Sequence, residues 1–117
     1  MTMKEQLTKI ISEYNLIEVT YDSFWESYKG FLADSAEEAA KHGLVDETSV
    51  SITLKSKAFS MSEFLKGNGE KMDYIEIEYY MYDKQNKYVG YYIGIFDLDG
   101  NMFDDCFVTD SWLREEH

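Results

Sequence analysis

The chain has no proline, a single cysteine (Cys106) and a single arginine (Arg114) in 117 residues. Proline averages about 5% of ordinary sequences, so its absence argues against a stiff linker, a polyproline ligand segment or a proline-held loop. One cysteine rules out an internal disulfide and suits a reducing compartment. No run approaches the roughly 18 apolar residues of a membrane-spanning helix. The opening MTMKEQLTKII places charged and polar residues where a secretory leader needs an apolar stretch. A soluble, cytoplasmic protein is the expectation.

Basic residues are also scarce. Twenty-three acids against eleven bases give a formal net charge of −12. Such a surface repels nucleic acid and anionic lipid, both of which require a positive footprint. Direct nucleic-acid or membrane binding is therefore excluded as an expectation, whereas a basic protein partner fits. The excess is uneven, with ten acids against six bases in residues 1–60 and thirteen against five in residues 61–117.

Chemistry is sparse as well. Two histidines and one cysteine cannot build a multi-ligand zinc site by themselves. No phosphate-cradling glycine loop, GxSxG or HExxH occurs. The run FDLDGN, residues 96–101, invites a calcium reading, but glycine is fourth counting from Asp97 and the twelfth residue is Val108, which breaks the EF-hand pattern. Glu76 and Glu78 would lie about 6.6 Å apart along one strand at 3.3 Å per residue, a coincidence expected in so acidic a chain. Neither catalysis nor a metal or other cofactor is expected.

With 44% hydrophobic residues, the chain reads as one globular domain over residues 1–117. Its helical half covers about 1–45 and its β half about 49–110. Thr2 with Glu5 has capping-box spacing, and Leu7, Ile10, Ile11 and Tyr14 follow at helical intervals, predicting a helix over roughly 3–14. In residues 16–21, the alternation of Ile17, Val19 and Tyr21 predicts a short strand or an extended lead-in. Ser23 with Glu26 reads as a second capping box, opening a helix whose stripe of Phe24, Trp25, Tyr28 and Phe31 packs on a sheet. Asp34-Ser35 suits a kink, and Gly43 after His42 a helix stop.

Alternation of Val50, Ile52 and Leu54 predicts a strand. Ser60 or Ser62 would cap a short helical turn through Phe64 and Leu65, followed by a loop at 67–69.

Residues 73–109 carry seven of the ten tyrosines and eight carboxylates, against only Lys84 and Lys87. They read as a β-meander turning at 83–87 and at Asp99-Gly100. Pairing Tyr82 with Tyr88 and continuing in step sets Ile75, Ile77, Tyr79, Met81, Val89, Tyr91, Ile93 and Ile95 on one face. Tyr74, Glu76, Glu78, Tyr80, Gly90, Tyr92, Gly94 and Phe96 then share the other. The two glycines would let cross-strand aromatics lie over bare backbone. Asp104 or Asp105 must point at the core unless a bulge intervenes. Cys106 is expected to be a small core residue, and Trp112 to pin the tail.

The expected fold is α+β, with N-terminal helices packed on one face of a mainly antiparallel β-meander of about four strands. The expected function is a small acidic protein-binding inhibitor. Its tyrosines and carboxylates would engage a basic partner such as a nucleic-acid-binding enzyme or a toxin. That is the behaviour of nucleic-acid mimics of the antirestriction and anti-CRISPR kind, and of immunity proteins. The partner-binding set is Tyr74, Glu76, Glu78, Tyr80, Tyr92, Asp97, Asp99, Asp104 and Asp105. Three alternatives remain open. One is a small-ligand-binding or accessory domain of cystatin-like or NTF2-like architecture, with Tyr79, Tyr91 and Asp104 in a pocket. Another is a homodimer whose tyrosine faces meet, and the last is that the chain's own helices wrap and cover that face.

Overall fold

A computed structural model describes the backbone of residues 2–65 and 71–109, with side chains except at residues 3, 58–65 and 71–72. Three helices, α1 (Met3–Glu13), α2 (Leu16–Asp34) and α3 (Ala36–Lys41), precede the strands. A short 3-10 turn at Glu47–Ser49 leads into β1 (Ser51–Leu65), β2 (Lys71–Tyr82), β3 (Tyr88–Phe96) and β4 (Met102–Thr109). The strands form one antiparallel sheet in the order β1-β2-β3-β4, and the helices lie against one of its faces, an α+β fold. No helix among the described residues is long and apolar enough to cross a membrane. The loop expected at 67–69 and Trp112 fall outside the described residues.

Thr2 caps α1, its hydroxyl accepting from the Glu5 amide at 3.1 Å. Asn15, in the left-handed region at φ 52°, then turns the chain into α2. The strand or extended lead-in expected over residues 16–21 is instead the first turns of α2. Leu16, Thr20, Phe24 and Tyr28 recur every fourth residue and are completely buried, while Val19 and Tyr21 are about 40% exposed. The i, i+4 stripe outweighs the β-branched alternation. Thr20 adapts by donating its hydroxyl to the Leu16 carbonyl at 2.7 Å. Ser23 therefore sits inside a helix rather than capping one, and the second capping box does not form.

The kink at Asp34-Ser35 is present, with Ser35 at φ −137° separating α2 from α3. Gly43, at φ 77°, ends α3 in a Schellman arrangement. Leu44 donates to the Ala39 carbonyl and Gly43 to the Ala40 carbonyl, each at 3.0 Å. The helical turn expected at Phe64-Leu65 belongs to β1.

Both strand-connecting turns of the meander use one device. Asp83 Oδ1 accepts from the amides of Gln85 and Lys87, and Asp97 Oδ1 from those of Asp99 and Asn101, all at 2.9–3.0 Å. In each turn the fourth residue has positive φ, Asn86 at 62° and Gly100 at 85°. An aspartate that gathers two turn amides, followed by a residue tolerant of the left-handed region, makes both loops.

Register is where the meander departs from expectation. Tyr82 pairs with Tyr88, but Met81 then pairs with Gly90, Tyr80 with Tyr91, Tyr79 with Tyr92 and Ile77 with Gly94. Val89 is an extra residue, and the bulge shifts the rest of β3 by one. A one-residue shift exchanges the faces of the whole strand. Tyr92, Phe96, Gly90 and Gly94 therefore lie under the helices, and Tyr91, Ile93 and Ile95 on the opposite face. Glycine is required at the bulge. At Gly90, with φ 155°, a Cβ would collide with the Val108 carbonyl and approach the Met81 methyl at 2.8 Å. Gly90 hence serves the close approach of β4, and Gly94 close packing beneath Thr20 of α2; neither lies under an aromatic cover on the outer face.

The core is two adjoining clusters. One joins Phe24, Tyr28, Ala39, Leu44, Val50, Met81, Val89 and Tyr92, with Trp25, Phe31 and Phe107 against it. The other joins Ile11, Leu16, Ile75, Ile77, Tyr79 and Phe96, and Ile52 packs against both.

Candidate partner-binding face

On the sheet face turned away from the helices, Glu76, Glu78, Tyr80 and Tyr82 of β2 stand beside Tyr88, Tyr91, Ile93 and Ile95 of β3. None of these belongs to either core cluster. Ser51, Thr53 and Ser56 of β1 flank them on one side, and Asp104, Cys106 and Val108 of β4 on the other. The β3 bulge creates the aromatic centre. It keeps Tyr88 on this face and brings Tyr91 opposite Tyr80. Tyr80 and Tyr88 meet edge to face at 4.9 Å between centroids, and Tyr82 and Tyr88 at 6.2 Å.

A second bulge, at Lys55, adds a cation. Leu54 faces Tyr79 and Ser56 faces Glu78, leaving Lys55 as the extra residue. Its Nζ lies 5.5 Å from the centre of the Tyr80 ring, a cation–π contact. Ser56 donates to Glu78 Oε1 at 3.2 Å and so orients that carboxylate. Burial chiefly, and then the neighbouring Tyr80, Glu78, Tyr91 and Tyr82, push the Tyr88 phenol up to about 12. It stays protonated, a hydrogen-bond donor, throughout the neutral range.

The expected binding residues divide. Glu76, Glu78 and Tyr80 share this face, half-buried, and Asp104 is exposed at its β4 side. Tyr74 and Tyr92 are buried, at 2% and 0% exposure. An unbulged register would turn Tyr92 outward; with the bulge it points under α2. Its hydroxyl donates to Asp105 Oδ2 at 2.8 Å and lies 2.7 Å from Ser23 Oγ. Ser27 also donates to Asp105 Oδ2, at 3.3 Å. Asp105 is thus the carboxylate turned toward the helices, tying β4 to α2. The bulge in β4 is at Phe103 and does not separate the two aspartates, so Asp104 falls on the outer face while Asp105, on the inner one, stays exposed at the sheet edge. Burial and the Asp105 hydrogen bond outweigh the opposing Ser23 bond and push the Tyr92 phenol up to about 12. Asp97 is engaged in its turn, and Asp99 is exposed at the tip. Cys106, expected inside, is exposed, because β4 is an edge strand whose outer face lacks helix cover.

Lys55, Ser56, Tyr82, Tyr88 and Tyr91 complete the cluster. Lys55 was legible in principle, because Thr53 and Lys55 alternate with the inward Ile52 and Leu54. Tyr91 was not, because its orientation depends on the bulge.

The pocket set does not converge. Tyr79 is in the core, donating to the Ile17 carbonyl at 3.1 Å, whereas Tyr91 and Asp104 are on the other face. A shallow groove of about 380 Å³ lies elsewhere, between α1, the start of α2 and Lys57 of β1. No protein-family model, curated protein or solved structure matches the chain.

Proposed function

We propose that the protein is a small acidic binding protein that inhibits a basic partner by receiving it on the tyrosine–carboxylate face of the sheet. The observation that carries this reading is Lys55, whose Nζ lies over the Tyr80 ring on the face that Glu78 shares, a cation seated on one of the groups that would engage a partner's lysines and arginines. Tyrosine offers large contact area at small entropic cost, and carboxylates choose cationic partners and speed encounter. A net charge of −12 extends that preference over the whole surface. A basic site of this kind belongs to enzymes that handle nucleic acid and to cationic toxins. In such a site the carboxylates take the place of phosphates.

The test is calorimetric titration with protamine at low and at raised salt. Binding should weaken steeply with salt. Tyr80→Ala and Glu78→Lys should each lower affinity about tenfold or more, as central contacts do. Glu13→Lys and Glu18→Lys, exposed on the helical side, should change it less than about twofold, as distant rim charges do. Equal losses from both sets of variants would mean unspecific polyelectrolyte binding and would sink the reading.

A further inference from the structure

Lys55 occupies an unusual position for the only described lysine on this face. It is the extra residue of a bulge, so its side chain is not fixed by a cross-strand partner in the ladder. It is exposed, and its ammonium stands over Tyr80 without forming any ion pair among the described residues. Glu78 projects from the same side of β2 two residues away, its Oε1 held by Ser56. An aromatic face with a fixed carboxylate at its edge matches a planar guanidinium better than a spherical ammonium. The guanidinium stacks on the ring while its N–H fork reaches the carboxylate.

We propose that Tyr80 and Glu78 form an arginine-reading subsite that the chain's own Lys55 fills in the free protein and vacates when a partner's arginine arrives. The inference rests on the reading of this face as a partner-binding surface and names the side chain it accepts first. Lys55 acts as a weak internal competitor. An exposed cation–π contact has the strength of roughly a two- to fivefold change in affinity. Such a placeholder keeps the ring from solvent and from non-cationic contacts, and yields to a ligand that adds the bidentate carboxylate contact.

The experiment uses N-acetyl-arginine amide and N-acetyl-lysine amide as probes. They are titrated into the full chain while the ring signals of Tyr80 and the Cε signal of Lys55 are followed by NMR. The arginine probe should move both signals together and bind more tightly than the lysine probe. Lys55→Met should tighten arginine-probe binding about two- to fivefold, and Lys55→Arg should weaken it by closing the subsite with a better occupant. Unchanged or weaker binding in Lys55→Met, or equal binding of the two probes, overturns the proposal. Protamine titrated into the same variants separates the two readings. If protamine still requires Tyr80 and Glu78 while Lys55→Met has no effect, displacement falls and the partner-binding face stands. If the arginine probe displaces Lys55 but protamine ignores the face, the subsite stands and the wider reading falls.

Discussion

His42 is wholly enclosed, yet neither ring nitrogen has a hydrogen-bond partner among the described residues. Glu38 Oε1 lies 3.5 Å from Nε2 without forming a hydrogen bond. An unpaired buried polar atom costs about 1–3 kcal/mol. Replacing the ring by an apolar side chain of similar volume removes that cost and keeps the packing. His42→Leu should therefore leave stability unchanged or raise it by about 1–2 kcal/mol, measured by urea denaturation at pH 7. A loss above about 2 kcal/mol would show that the imidazole is satisfied in solution, for example by a water bridging to Glu38. The same residue illustrates what spacing reveals. Its place at the end of α3, just before Gly43, was readable because a helix stop is local chemistry. Its burial was not, because that depends on how α3 folds back toward the sheet.

Among the elements, the turns and the helix stop were legible and the strand register was not, for one reason. Asp83, Asn86, Asp97 and Gly100 act within five residues, so composition alone encodes the loop. The bulges at Lys55, Val89 and Phe103 exist only as relations between two strands. The sequence around Val89 reads as unbroken alternation, and the smooth register separates aliphatic from polar residues more cleanly than the real one does. The molecule adopts the shifted register because Gly90 lets β3 close on Val108 while Tyr92 reaches Ser23 and Asp105. The site was accordingly half readable, with β2 contributing Glu76, Glu78 and Tyr80 as expected and β3 exchanging Tyr92 for Tyr91. The turn device carries its own test. Asp83→Ala frees two turn amides that the carboxylate now holds, and Asp83 is only 7% exposed. It should cost about 1.5–3 kcal/mol, the range for hydrogen bonds to a charged group. Asp97→Ala, at an exposed turn of the same geometry, should cost less, about 0.5–2 kcal/mol, as exposed caps do. Both are read from urea midpoints, and equal losses would contradict the part assigned to burial.

At the scale of the whole molecule, phenols buried on both sides of the sheet make stability depend on alkaline pH. Tyr28 of α2 and Tyr92 of β3 meet in the core between helices and sheet, Tyr88 lies on the opposite face, and burial pushes all three up to about 12. Nearby acids add to this, Asp46 and Glu47 at Tyr28, and Tyr80 and Glu78 at Tyr88. In the unfolded chain each phenol titrates near 10. Between pH 10 and 12 the unfolded chain has released protons that the folded chain still binds, so the slope of unfolding free energy against pH is negative. The contribution of these groups is complete below pH 10 and disappears as pH rises through 12. Lysines lose their charge over the same interval, so the alkaline limb alone does not identify its source. Tyr88→Phe does, because it removes one titrating phenol and keeps the ring against Tyr80 and Tyr82. Its urea midpoint should fall less than that of the unsubstituted chain between pH 9 and 11.5, while both chains show the same lysine contribution. In the unsubstituted chain, phenolate absorbance at 295 nm should report these tyrosines ionising together with unfolding and not ahead of it. Parallel midpoints in the two chains would place Tyr88 in water, and with it the aromatic centre of the proposed binding face.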